Sequence, residues 1–85
     1  MKVQLIEMIG DNVILETEYG KQIWSAVFAR KGCECFLCGK FKFYGAVLFR
    51  PTNPKPNQAK QRICLNCIFE LWTQNAKEKS NVSTQ

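Results

Sequence analysis

The sequence predicts a small α+β domain in which an antiparallel β-meander leads into a cysteine-stapled unit that ends in a helix. Three observations carry this. In the first thirty positions an alternating stretch and two β-forming stretches are separated by glycine-bearing turns, while a helix from Ile14 would have to tolerate Gly20 immediately after it. Four of the five cysteines fall into two Cys-x-x-Cys pairs, Cys35/Cys38 and Cys64/Cys67. After the second pair, Leu65, Ile68, Leu71, Trp72 and Ala76 recur at helical spacing. With 85 residues the chain makes one domain, at a size where a hydrophobic core alone is marginal and a staple is the usual supplement.

The elements follow in order. Val3, Leu5 and Ile9 alternate with more polar neighbours, and Gly10-Asp11-Asn12 signals a tight turn. Val13 to Glu18 reads as a second strand, Tyr19-Gly20-Lys21 as the next turn, and Ile23 to Phe28 as a third strand rich in β-formers. Lys31 to Gly39 is a loop carrying the first cysteine pair. Phe41 to Phe43 and Ala46 to Arg50 predict a short hairpin about Tyr44-Gly45. Three prolines within residues 51–56 keep the next stretch out of a sheet interior, which predicts an extended, mobile surface loop. A helix of about three turns starts near Cys64, and residues 80–85 form a polar, frayed tail.

The cysteines carry the chemistry. The N-terminus places Glu7 inside what would be the apolar region of a signal peptide, so a cytoplasmic, reducing setting is expected and disulfides are not. A tetrahedral zinc wants four soft ligands at about 2.3 Å, and two intervening residues let a tight turn bring both sulfurs of a pair to one side of the ion. Gly39 suits the left-handed conformation of such a turn, and the amides at a helix start favour the thiolates of Cys64 and Cys67. Cys35, Cys38, Cys64 and Cys67 are therefore expected to hold one structural Zn2+. A rubredoxin-like iron site also uses four cysteines, but it repeats the glycine-bearing knuckle at both pairs, whereas here Ile68 and a helix follow the second. Cys33 is a spare thiol near the site, or an alternate to Cys35.

The order Cys35-Phe36-Leu37-Cys38-Gly39, hairpin, then Cys64-Leu65-Asn66-Cys67 at the head of a helix resembles a treble-clef zinc finger over residues 33–78, roughly half the chain. Through Gly20-Lys21-Gln22-Ile23-Trp24, the knuckle and Gly45-Ala46-Val47-Leu48-Phe49-Arg50-Pro51 the chain is also similar to a family of short uncharacterised bacterial proteins. The chain is expected to be one zinc-binding domain over 1–79, with the meander at 1–30 and the treble-clef part at 33–78; neither likeness implies a function, because treble clefs serve many.

Catalysis is not expected. The chain has no histidine, the base and ligand that nucleases built on this architecture use. Four cysteines would close the zinc shell, Cys33-Glu34-Cys35 lacks the deaminase spacing, and Glu34 and Glu70 read as solvated charges. No small-molecule substrate and no membrane partner are expected, the apolar runs being far too short to span a bilayer.

Two binding readings remain. Lys40, Lys42, Arg50, Lys55, Lys60 and Arg62 make the stretch from Cys38 to Phe69 basic with no acid in it, which suits nucleic acid and a regulatory role. A zinc–tetrathiolate carries −2, which tempers that charge. In the hairpin, Phe41 and Phe43 either offer stacking surfaces beside Lys40 and Lys42 or point into the core. The second reading is a protein partner or homodimer that meets exposed aromatics among Tyr19, Trp24, Phe36 and Trp72, or the helix face widened by Phe69 beside Ile68.

Overall fold

A computed structural model of the chain describes residues 3–83, with side chains as far as Gln74. Its elements are β1 (Gln4–Ile9), β2 (Asn12–Thr17), β3 (Gly20–Phe28), β4 (Cys33–Glu34), β5 (Phe41–Lys42), β6 (Val47–Pro51), β7 (Ile63–Cys64) and α1 (Leu65–Ser83). The fold is a small α+β arrangement, as the sequence predicts. A five-stranded antiparallel sheet runs in the order β1-β2-β3-β6-β7, and β4 and β5 form a separate two-stranded ribbon.

The meander forms where alternation places it. Ile9 pairs with Asn12, so Gly10 and Asp11 alone make the first turn. Gly10 takes a φ of 58° while no non-glycine among the described residues has positive φ, the pattern of a II′ hairpin turn with glycine first. The register of β1 shifts between Leu5 and Glu7, and this bulge brings Met8 opposite Val13.

The expected hairpin of residues 41–43 with 46–50 does not form. Phe41 and Lys42 pair back onto Glu34 and Cys33, whereas residues 47–51 pair with β3 from Phe28 to Trp24. The long edge of β3 offers β6 a five-residue ladder, against two or three for the local hairpin. Ala29 reinforces the choice, donating to the Ala46 carbonyl at 2.8 Å and accepting from Gly45 N–H at 2.9 Å.

Strand parity then explains how the core is divided. Val13, Trp24, Phe49 and Ile63 lie on one face through their pairings, and Val27, Leu48 and Cys64 on the other. Leu48 and Phe49 are neighbours and both buried, as are Ile63 and Cys64, so β6 and β7 are covered on both sides. The helix covers the Trp24 face. It packs against β1, β6 and β7, and since β1 and β7 are the two ends of the sheet, the sheet curls to meet it. Ile68 is fully buried there, a burial that contributes roughly 1.5–3 kcal/mol. Trp24 sits at the centre, 1% exposed, its indole N–H without a partner among the described residues.

α1 continues to Ser83, through positions expected to be tail; residues 84–85 lie outside those described. No helix among the described residues is long and apolar enough to cross a membrane.

The proline-bearing loop is more ordered than its composition suggests. Gln58, 2% exposed, is its anchor. Its amide exchanges two hydrogen bonds with the Gln22 amide, at 2.8 and 2.9 Å, and its Oε1 also accepts from Lys55 N–H at 3.0 Å. The expected extended loop is thus a pinned turn, because one side chain satisfies both its own backbone and the sheet beneath it. Removing one amide of such a pair strands the other. Gln58→Ala is expected to lower stability by about 1–3 kcal/mol in urea unfolding, and the Gln22→Ala, Gln58→Ala double variant to cost less than the two single changes added together.

Candidate metal centre and basic groove

The ribbon β4–β5 encloses the first cysteine pair. Cys35 N–H donates to the Lys40 carbonyl and Gly39 N–H to the Cys35 carbonyl, both at 2.9 Å, which closes a tight knuckle. Gly39 takes a φ of 74°, the left-handed conformation expected of it. The second pair straddles a junction: Cys64 ends β7 and Cys67 lies in the first turn of α1. Phe36 N–H donates to the Arg62 carbonyl at 2.6 Å and lashes the knuckle to the strand that delivers Cys64.

This brings Cys35, Cys38, Cys64 and Cys67 together with all four sulfurs within 4.8 Å of one another. Cys35 Sγ lies 3.6 Å from Cys67 Sγ and Cys38 Sγ 3.8 Å from Cys64 Sγ. Sulfurs about 2.3 Å from a tetrahedral ion stand about 3.8 Å apart along each edge, so these distances fit a soft metal ion and are far beyond a disulfide bond. Cys35, Cys64 and Cys67 are buried, and Cys38 faces solvent. Cys33 is half-buried, belongs to β4, and stands outside the cluster.

The electrostatics suit anionic sulfur at one corner first. Burial works against a charged Cys35, but N–H groups of Cys38 (3.4 Å), Cys64 (3.3 Å) and Leu37 (3.3 Å) aim at its sulfur and bring its pKa down to about 6. Burial pushes the Cys64 and Cys67 thiols up, and for Cys67 the adjoining sulfurs add to it. A bound cation reverses that penalty, since a coordinating thiol is deprotonated outright.

A second feature lies beside this centre. A groove of about 1100 Å³, open to solvent, is floored by Val27 and Leu48, on the sheet face opposite Trp24. Arg30, Lys31, Arg50, Lys60 and Arg62 line it, with Phe28, Tyr44 and Cys33, and no acid among the described residues does. None of the five cations is held in an ion pair among the described residues. Arg62 is pre-positioned: its Nη1 donates to the carbonyls of Ala59 and Gln61 at 3.1 and 2.8 Å.

Of the six basic residues singled out in the sequence, the fold brings Arg50, Lys60 and Arg62 to the groove and leaves Lys40, Lys42 and Lys55 off it. Arg30 and Lys31 join them from the segment between β3 and β4, where their adjacency was the available signal. Phe41 and Phe43 do not enter the core: they pack edge to face at 5.1 Å and remain exposed, Phe41 covering Gly32. Trp24 is buried and Phe36 half-buried, while Tyr19 and Trp72 are exposed on separate elements, so the four do not form one patch.

No protein-family model, curated protein or solved structure matches this chain.

The donor set makes a direct prediction. The purified protein is expected to carry one metal ion per chain in native mass spectrometry; Cys33→Ser keeps it, whereas Cys64→Ser loses it. Chelation should abolish the cooperative unfolding transition, because the binding free energy of such a site is folding free energy.

Proposed function

We propose that this chain is a non-enzymatic, zinc-stapled nucleic-acid-binding protein of regulatory type. The groove carries the reading: five cations free of ion pairs converge on one concave face, and no acid among the described residues accompanies them. Phosphates are the polyanion that such an array neutralises, with release of condensed counterions.

Zinc is the ion we assign to the four sulfurs, in a structural role. An all-thiolate tetrahedral set is the usual structural zinc shell and leaves no position for a substrate. The knuckle on β4–β5, the β6–β7 pair and α1 with Cys67 in its first turn give the order of parts of a treble clef. In that reading the expected hairpin is β6–β7, separated by the proline-bearing loop, and not residues 41–50.

A second reading is favoured by one observation. Phe69 and Trp72, one turn apart on α1, are each about half exposed, and a protein partner or second copy could cover them. A lone monomer in sedimentation, with no self-association at high concentration, would count against the homodimer form.

Salt titration tests the first reading. Affinity for a labelled oligonucleotide should fall with salt at a log–log slope of about −0.7 to −0.9 per neutralised phosphate. Arg50→Ala with Arg62→Ala is expected to weaken binding and flatten that slope, and Lys40→Ala with Lys55→Ala to leave both unchanged. Absence of binding at low salt overturns the reading.

A further inference from the structure

The groove has a second property besides charge. Tyr44, 80% exposed, stands on its rim. Phe28, at the end of β3, borders it too, but strand parity sends its side chain to the Trp24 side, so Tyr44 is the ring that faces the groove. That ring is not placed by the core. It is held by a backbone junction, in which Gly45 N–H donates to the Ala29 carbonyl and Ala29 N–H to the Ala46 carbonyl. Tyr44 therefore adjoins a fixed point on the groove's rim. The cations are spread over three separate stretches: Arg30 and Lys31 before β4, Arg50 on β6, Lys60 and Arg62 before β7.

A flat ring beside unpaired cations matches a polymer that alternates base faces with phosphates. A small anion would need no ring and no more than two or three of the five cations. A duplex keeps its base faces stacked inside, out of reach of a ring on a rim. It is read by an element that projects into a groove, whereas these residues line a concavity. An acidic polypeptide would satisfy the cations and leave the ring in water.

We propose that this groove takes single-stranded nucleic acid, its phosphates on Arg30, Lys31, Arg50, Lys60 and Arg62 and a base stacked on Tyr44. This rests on the nucleic-acid reading above and narrows it to one form of the polymer.

The test uses the full metal-loaded chain and fluorescence anisotropy. The probes are labelled oligo-dT and oligo-U of about twelve nucleotides, within the span of small single-strand modules, and a mixed-sequence duplex of equal length. Polyglutamate serves as competitor. Single strands are expected to bind at least about tenfold tighter than the duplex, because stacking adds to the phosphate term. Tyr44→Ala should weaken single-strand binding by about five- to a hundredfold, while the salt slope holds because no phosphate contact is lost. Tyr44→Trp should retain affinity, and the alanine variant should keep its metal, since the ring is exposed. A preference for oligo-dT or oligo-U supports the proposal and identifies the polymer. Duplex binding equal to or tighter than single-strand binding overturns it while the nucleic-acid reading survives. So does alanine substitution without effect. Polyglutamate competing as well as oligo-dT, or no binding to any oligonucleotide, overturns both.

Discussion

Four sulfurs within 4.8 Å of one another mark the point where two stretches of chain with short ladders of their own meet, alongside the backbone bond from Phe36 N–H to the Arg62 carbonyl. The β4–β5 ribbon has two residues per strand, and β7 has two residues in all. Ladders that short do not persist in water by themselves. What fixes them is the convergence of Cys35 and Cys38 from the knuckle with Cys64 and Cys67 from the strand–helix junction. Because Cys64 lies at the end of the sheet and Cys67 in the first turn of α1, the same cluster sets the angle at which the helix leaves β7. The helix can then lie on the Trp24 face and reach β1. Sheet curvature, helix placement and the position of the knuckle all meet at this cluster, with the packing of α1 on β1, β6 and β7.

The groove is a by-product of that arrangement. With α1 on one side of the sheet and the knuckle against the far end of the other, Val27 and Leu48 are left as the floor of a concavity. The elements around it come from distant parts of the sequence, and each brings a cation. No acid among the described residues lines it: Glu7, Glu16 and Glu18 belong to the meander's first hairpins, while Asp11, whose carbonyl accepts from Ala26 N–H, and Glu34 on β4 come nearer without lining it. The anchoring of the proline-bearing loop by Gln58 matters here, since the stretch it fixes carries Lys60 and leads to Arg62. A loop free to swing would disperse that positive charge instead of concentrating it.

What could be read in advance follows from what is local. The meander strands, the Gly10-Asp11 turn, the four clustered cysteines and the helix start depend on short-range patterning, spacing and glycine chemistry and lie where the residues indicate, except that β3 already pairs from Gly20, inside the turn expected over residues 19–21. The partner of β6 depends on which edge lies within reach, and that is a property of the assembled chain; Phe41-Lys42-Phe43 looks like half of a hairpin with residues 46–50 and is not. The same limit hid Arg30 and Lys31, which sit in a stretch with a slight excess of acids and join Arg50, Lys60 and Arg62 only across the sheet. Gln58 was illegible for another reason. A glutamine in a polar, proline-bearing loop looks like surface until its amide is seen against Gln22.

The register shift in β1 has a consequence for how anything can approach this molecule. The sheet has two free ends in principle, β1 and β7, and an exposed strand end is an invitation to strand addition by another chain. At one end the ladder is kinked between Leu5 and Glu7 and the strand touches α1; at the other it is two residues long and runs straight into the helix. Neither presents an extended, flat row of amides and carbonyls. Recognition by β-augmentation is thereby disfavoured, and a partner must engage a face or a side-chain surface.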